Sequence, residues 1–163
     1  MSRQPPPEII SAAQVSAAQW GIPASVSLGQ WALESGWGEH EPPESNNPFG
    51  IKQGRNGPGV GAQTIEYVSG AARQVEQPFA VFPDVAAAFS AHARLLANPE
   101  GAYAASAAML PLTPGDRAGL QGYVQAMAPV YATDPRYAGN LWALMIGNDL
   151  VAYDQPAAGE PST

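Results

Sequence analysis

The segment WALESGWGEH, residues 31–40, sets Glu34 between two tryptophans, where a helical pattern runs into Gly36 and Gly38. A carboxyl at the C-terminal end of a helix meets the negative end of the helix dipole, which disfavours a further negative charge. Burial beside Trp31 or Trp37 would disfavour ionisation again. A carboxyl that keeps its proton near neutrality can deliver it to a leaving oxygen as a general acid. An ordinary solvated helix glutamate has the same spacing, so these residues alone make Glu34 a candidate acid and nothing more.

If the leaving oxygen belonged to a glycosidic bond, a second carboxylate across the scissile bond would normally be needed. Glu66, in QTIEYVSG (residues 63–70), is the natural choice, because strand alternation puts it with Thr64 and Val68 on one face and Ile65 with Tyr67 on the other. Glu76, Asp84 and the cluster Glu39, Glu41 and Glu44 are rivals, and strand carboxylates are often plain surface decoration. His40 lies among the acidic cluster, but HEPPE lacks helical ligand spacing and carries two prolines, so no metal and no cofactor are expected. His92 falls on an apolar helix face and reads as a core or boundary residue. Ser35 has no histidine motif nearby, which argues against a serine nucleophile.

The elements that must hold these residues follow from pattern. Pro5, Pro6 and Pro7 make residues 1–7 a flexible or extended arm. A first helix is predicted over residues 8–20, closed by Gly21, and a second from Pro23 to residue 33 or 34, with Val26, Trp31 and Leu33 available for packing. Residues 39–62, rich in Gly, Pro and Asn, read as a long loop. A hairpin follows, turning at Ser69-Gly70 and returning through Val75, Phe79 and Val81. Asp84 is a plausible cap for a helix over residues 85–96 whose inner stripe is Val85, Ala88, Phe89, His92, Leu95 and Leu96. A short helix over 102–108, one from Thr113-Pro114 to Met127, and a last one opened by Thr133 or Asp134 and carrying Tyr137, Leu141, Leu144 and Met145 complete the chain. Residues 154–163 read as a flexible tail. The result is an α+β domain over residues 8–153, a mostly helical lobe with a small β-hairpin lobe.

The chain has 163 residues, enough for one domain with an apolar core, and no cysteine, so neither disulfides nor thiolate metal sites are open to it. A net charge of −7 and a pI near 4.6 argue against nucleic-acid binding. They also offer no attraction to an anionic polymer, so binding one would rest on specific groove contacts. No segment is apolar and long enough for a membrane span, and the proline run in MSRQPPPEII leaves no apolar core for a secretory leader.

The run AAQWGIPASVSLGQWALESGWG, then SNNPFGIK, TIEYVSG, FAVFPDVAAAFSAHARLLANPE and YVQAMAPVYATDPRYAGNLWALM, resembles glycoside hydrolase family 73 in order over about residues 10–150. That family comprises bacterial and phage peptidoglycan β-N-acetylglucosaminidases, including the hydrolase domain of flagellar rod-assembly proteins. The resemblance implies a lysozyme-like fold and an endo-acting enzyme on peptidoglycan glycan strands, expected to work as a monomer without cofactor. It implies Glu34 as the acid, Glu66 as the hairpin carboxylate and Tyr131, in YATDP, as a residue of the catalytic centre. Asn47, Phe49 and Gly50 fall on the family's cleft-shaping loop, and with Trp37 and Tyr67 they form the expected substrate contacts. Pro48 departs from the family's leucine-like residue, and the glycine-rich stretch 54–61 bears on how far Glu66 can reach. Lytic transglycosylases and muramidases of the same fold, or a silent wall-binding module, are the alternatives. The implied place of action is the periplasm or cell wall, reached by phage lysis, a dedicated secretion route, or as part of a longer protein.

Overall fold

A computed structural model describes residues 2–54 and 58–154, and for residues 60, 62–68 and 74–77 it describes the backbone alone. Helix α1 (Pro7–Trp20) starts with Pro7 in its first turn, where a missing N–H costs nothing, and stops at Gly21, whose φ of 79° suits a residue without Cβ. Helix α2 (Ala24–Ser35) follows. Every residue from Ala24 to Ala32 is buried, as expected of a helix carrying no charge before Glu34. The remaining elements are β1 (Gly59–Val68), β2 (Ala71–Ala80), α3 (Val85–Ala97), the short α4 (Ala104–Ala107), α5 (Arg117–Tyr131), α6 (Tyr137–Gly147) and a 3-10 turn, Leu150–Asp154.

Helix α2 is the axis of the core. One buried cluster joins its Val26 to Ile22, Leu120, Tyr123, Met127, Leu141 and Met145; the other joins Leu28 and Trp31 to Ile9, Ala13, Phe49, Phe89 and Leu150. Gly29 brings α2 close to α6, since a Cβ there would lie 2.7 Å from Met145 Cγ and 2.9 Å from Leu141 Cδ1. The N-terminus of α2 has no capping side chain of its own. Asp154, from the other end of the chain, supplies one, accepting from Ser25 N–H at 2.7 Å and from Ser25 Oγ at 2.6 Å. Asp154, placed by its sequence at the start of a tail, thus belongs to the fold; residues 155–163 lie outside the described residues. The arm is extended and docked: Pro5 is buried, and Arg3 N–H donates to Asn148 Oδ1 at 2.7 Å.

Several boundaries differ from the sequence expectation. The first strand begins at Gly59, inside the predicted loop, because Gly59–Ala62 pair with the far end of β2 (Gly59 with Ala80, Ala62 with Gln77). Partner pairing outweighs the local preference of glycine for turns. The hairpin turns at Ser69 and Gly70, both with positive φ (53° and 78°), the two-residue geometry that matches strand twist. Helix α5 opens at Arg117 rather than at Thr113-Pro114, since Asp116 is the side chain that reaches a free amide, that of Gly119 at 2.9 Å. It also runs on past Met127, through Pro129, to Tyr131. Helix α6 starts two residues after Pro135, because Asp134 holds the N–H of Arg136 in a preceding turn. Leu95, placed on the inner stripe of α3, is 43% exposed. Asp84 does cap α3, through Ala87 N–H at 2.8 Å.

Candidate active site

Glu34 is the penultimate residue of α2, and the SGWG that follows explains why the helix ends there. Ser35 Oγ donates back to Trp31 O at 2.6 Å and receives Gly38 N–H at 2.8 Å, a local bonding pattern that competes with further helix. Gly36, Trp37 and Gly38 then take φ of 57°, 62° and 87°. A Cβ on Gly36 would come within 2.9 Å of His40 Cδ2. The serine and glycines of the motif therefore act as a stop that leaves the glutamate on the last turn, at the surface.

Glu34 is exposed along its outer side, yet protein crowds its carboxyl from behind, and burial on that side raises its pKa above the ordinary value of 4.5. Among the described residues, three tyrosines feel its charge: Tyr103 ahead of α4, Tyr131 at the end of α5 and Tyr137 at the start of α6. Tyr137 Oη donates to Glu34 Oε1 at 2.6 Å, a bond that pulls the pKa back down. Tyr131 stacks on Tyr137 with centroids 5.7 Å apart, and its hydroxyl donates to Phe49 O at 3.3 Å. Burial drives all three phenols upward, so they stay neutral donors. The two indoles that flank Glu34 in sequence, Trp31 and Trp37, pack edge-to-face on each other, 5.7 Å apart.

The loop SNNPFGIK forms the wall behind these tyrosines. Asn47 is fully buried; its amide donates to Ile51 O at 2.8 Å and Ala80 O at 3.0 Å, and its Oδ1 accepts Ile51 N–H at 3.0 Å. That side chain ties the loop to the foot of the hairpin, with both its N–H donors engaged, and lies buried away from the surface. Phe49 is buried too, stacked on His92 at 4.0 Å. Only Gly50 of this trio reaches the surface, at φ 65°. Trp37 is half-buried, and the Arg3 guanidinium lies 5.0 Å from its ring centroid. A sugar stacking on that face would have to move Arg3.

The backbone of Glu66 pairs with Arg73 in the hairpin, while the side chains of Glu66, Tyr67 and Glu76 lie outside the described residues. Among the rival carboxylates, Asp84 is engaged in capping and Glu39 pairs with Arg3 at 3.0 Å. Among the described residues, no three His, Cys, Asp or Glu side chains converge as metal ligands. No described helix is long and apolar enough to cross a membrane. A groove of about 620 Å³ lies elsewhere, between Val15, Ile22, Pro114 and Leu120. Its carboxylates, Asp116 and Asp154, are both engaged as helix caps, so it offers no free acid.

Two residues the sequence reading did not assign to chemistry belong to the site. By its spacing Tyr137 is expected to pack in the core, yet it is the hydrogen-bond partner of Glu34. Gln30 is one turn before Glu34 and fully buried; its Nε2 donates to Tyr137 Oη at 3.2 Å. The i to i+4 spacing of Gln30 and Glu34 was the available signal, since it puts both on one helix face.

Comparison with known proteins extends this geometry. The family model for glucosaminidase, described as mannosyl-glycoprotein endo-beta-N-acetylglucosaminidase, matches residues 10–150. The peptidoglycan hydrolase FlgJ of Escherichia coli (strain K12) is 36% identical over 137 residues, covering 79% of this chain and 41% of that protein. The chain thus spans about two-fifths of the length of that curated relative. Among solved structures, a mutant peptidoglycan hydrolase from Sphingomonas sp. A1 superposes with a TM-score of 0.69 at 30% identity, covering 88% of this chain and 92% of that one. The truncated glycoside hydrolase domain of Salmonella typhimurium FlgJ gives 0.65 at 31% identity, covering 86% and 93%. With matching motifs in one order, a helical lobe, a hairpin and a glutamate at the end of the central helix, this chain belongs to the glucosaminidase family, glycoside hydrolase family 73, and has its lysozyme-like fold.

Proposed function

We propose that the protein is an endo-β-N-acetylglucosaminidase that hydrolyses the β-1,4 bond after N-acetylglucosamine in peptidoglycan glycan strands, working as a monomer in the periplasm or cell wall. The observation that carries this is the surface carboxyl of Glu34, its pKa raised by burial and one of its oxygens held by Tyr137 at 2.6 Å. Family membership and the named activity of the relatives support the substrate.

Glu34 donates its proton to the leaving oxygen as positive charge develops on the sugar ring. The Glu66 carboxylate assists from the hairpin, where it activates water or stabilises that charge. Tyr131, anchored through Phe49 O, forms the floor against which the sugar is oriented. Gly50 is the loop position that lets a glycan strand approach the backbone.

Digestion of purified peptidoglycan, borohydride reduction and mass spectrometry test the bond choice. N-acetylglucosaminitol should appear at the new fragment ends, and a folded Glu34→Gln protein should release about 10²–10⁴-fold less. Muramitol ends would make it a muramidase, and 1,6-anhydro ends a transglycosylase. Undiminished release by Glu34→Gln would remove the acid assignment.

A further inference from the structure

Behind Glu34 runs a continuous line of side chains from three helices. His92 Nε2 lies 2.8 Å from Gln30 Oε1, Gln30 Nε2 lies 3.2 Å from Tyr137 Oη, and Tyr137 Oη lies 2.6 Å from Glu34 Oε1. His92 and Gln30 are completely buried and Tyr137 nearly so. Each contact can be made in one of two directions, and the direction matters. If Tyr137 donates to Oε1, a protonated Glu34 must carry its proton on Oε2, which has no hydrogen-bond partner among the described residues. If the chain ran the other way, Tyr137 would donate to Gln30, and the acid's proton could turn inward to Tyr137, away from any substrate.

Two observations decide between them. The Gln30 Nε2 also points at Met127 Sδ, 3.7 Å away. A thioether sulfur only accepts, so turning the amide over would set Oε1 against another acceptor and leave an N–H facing His92. His92 would then have to accept at Nε2 and carry its proton on Nδ1. That nitrogen is buried with no partner, and an orphaned N–H there is costly. With the proton on Nε2, His92 donates to Gln30 Oε1 and every donor in the line is used. Phe49, stacked at 4.0 Å on the ring, keeps the imidazole in this plane.

We propose that His92 and Gln30 are positioning residues for the acid: they fix the direction of the line, so that the proton of Glu34 rests on Oε2, the oxygen left for the glycosidic bond. This rests on the reading of Glu34 as the acid. His92 itself exchanges no proton, because complete burial lowers its pKa to about 3. Among the described residues the titratable groups whose charge bears on Glu34 are Tyr103, Tyr131 and Tyr137, all held neutral by burial, so the alkaline limb of the pH profile is assigned to the proton on Glu34.

Nitrogen-15 NMR of the wild-type protein at neutral pH should find His92 neutral with its proton on Nε2. Kinetics of His92→Phe and His92→Gln should follow. With the donor gone, Gln30 is free to turn and Tyr137 to release Glu34. His92→Phe should therefore lower kcat about 10–100-fold, the size of one hydrogen bond to a charged group, with KM little changed. Its alkaline limb should move to higher pH, as in Tyr137→Phe, because the bond that lowers the pKa of Glu34 is lost in both. His92→Gln can still donate and should recover much of the rate. An Nδ1–H tautomer in the wild type would overturn the proposal, as would a His92→Phe protein that loses thermal stability but keeps the wild-type kcat and pH profile. Should Glu34→Gln keep full activity, the acid assignment fails, whereas an inactive Glu34→Gln beside an unaltered His92→Phe rejects the positioning role alone.

Discussion

At the scale of single residues, one glutamate is tuned by two opposed effects, and their balance is useful to an acid. Burial behind the carboxyl favours the protonated form, while the bond from Tyr137 favours the ionised one. Unopposed burial would make Glu34 reluctant to release its proton; unopposed hydrogen bonding would leave it ionised at working pH. Glu66, the proposed second carboxylate, has a different setting, on a strand of a two-stranded hairpin rather than on a packed helix. A hairpin gains less from the core and is freer to adjust. Replacing it should thus be less damaging than replacing the acid, since water or the substrate's own acetamido group can take part of its role. Glu66→Gln is expected to reduce kcat/KM by about 10²-fold, with Glu34→Gln lower still, measured on the same wall preparation. Equal rates for Glu66→Gln and wild type would place the second carboxylate elsewhere.

At the scale of elements, α2 carries the site because it is packed on every side. Its small residues make this possible. Gly29 lets Met145 and Leu141 of α6 press against the helix, and α6 begins with Tyr137, the partner of Glu34. The spacing between the two helices therefore sets the 2.6 Å contact at their ends. Gly29→Val should overpack this seam and lower stability by about 1–3 kcal/mol, despite the better helix propensity of a side-chain-bearing residue. Urea denaturation would measure it, and a stability equal to wild type would show that the seam yields. The stop after Glu34 is equally local: Ser35 holds Trp31 O and Gly38 N–H, and three successive positive φ angles turn the chain away.

At the scale of the whole molecule, the two ends of the chain close around α2. Asp154 caps its first turn, and Arg3 covers Trp37 beyond its last. The buried imidazole gives the fold a pH dependence. His92 holds its pKa at about 3 when folded against 6.5 for the free side chain, so between those values the unfolded chain binds the extra proton. Stability from this group is thus complete above pH 6.5 and is lost as pH falls toward 3, by an amount on the order of several kcal/mol. Glu34, Glu41 and Asp154, with pKa values raised by burial, act in the opposite sense. The test is therefore a difference: the stability gap between wild type and His92→Gln should shrink as the pH is lowered from 7 to 4. A gap independent of pH would mean that His92 takes up its proton as readily in the folded protein as in the unfolded chain.

What could be read from the residues alone was whatever depends on local pattern and on motifs. The helices and the hairpin turn follow from apolar spacing, Asp84 as a cap, Gly21, and the Ser69-Gly70 pair, because each is set by neighbours a few residues away. Glu34 as a candidate acid could be picked out from ESGWG, and the family from motifs in a fixed order. Contacts between distant residues were not. Gly59 joins a strand only because Ala80 pairs with it, and Asp154 joins the fold only because Ser25, 129 positions earlier, offers it two donors. Asn47, read as a substrate contact, is bonded to backbone from both the loop and β2. Tyr137, Gln30 and His92 each look like ordinary packing on their own helices. Their role depends on hydrogen-bond distances among α2, α3 and α6, and those distances exist only after the three helices have packed.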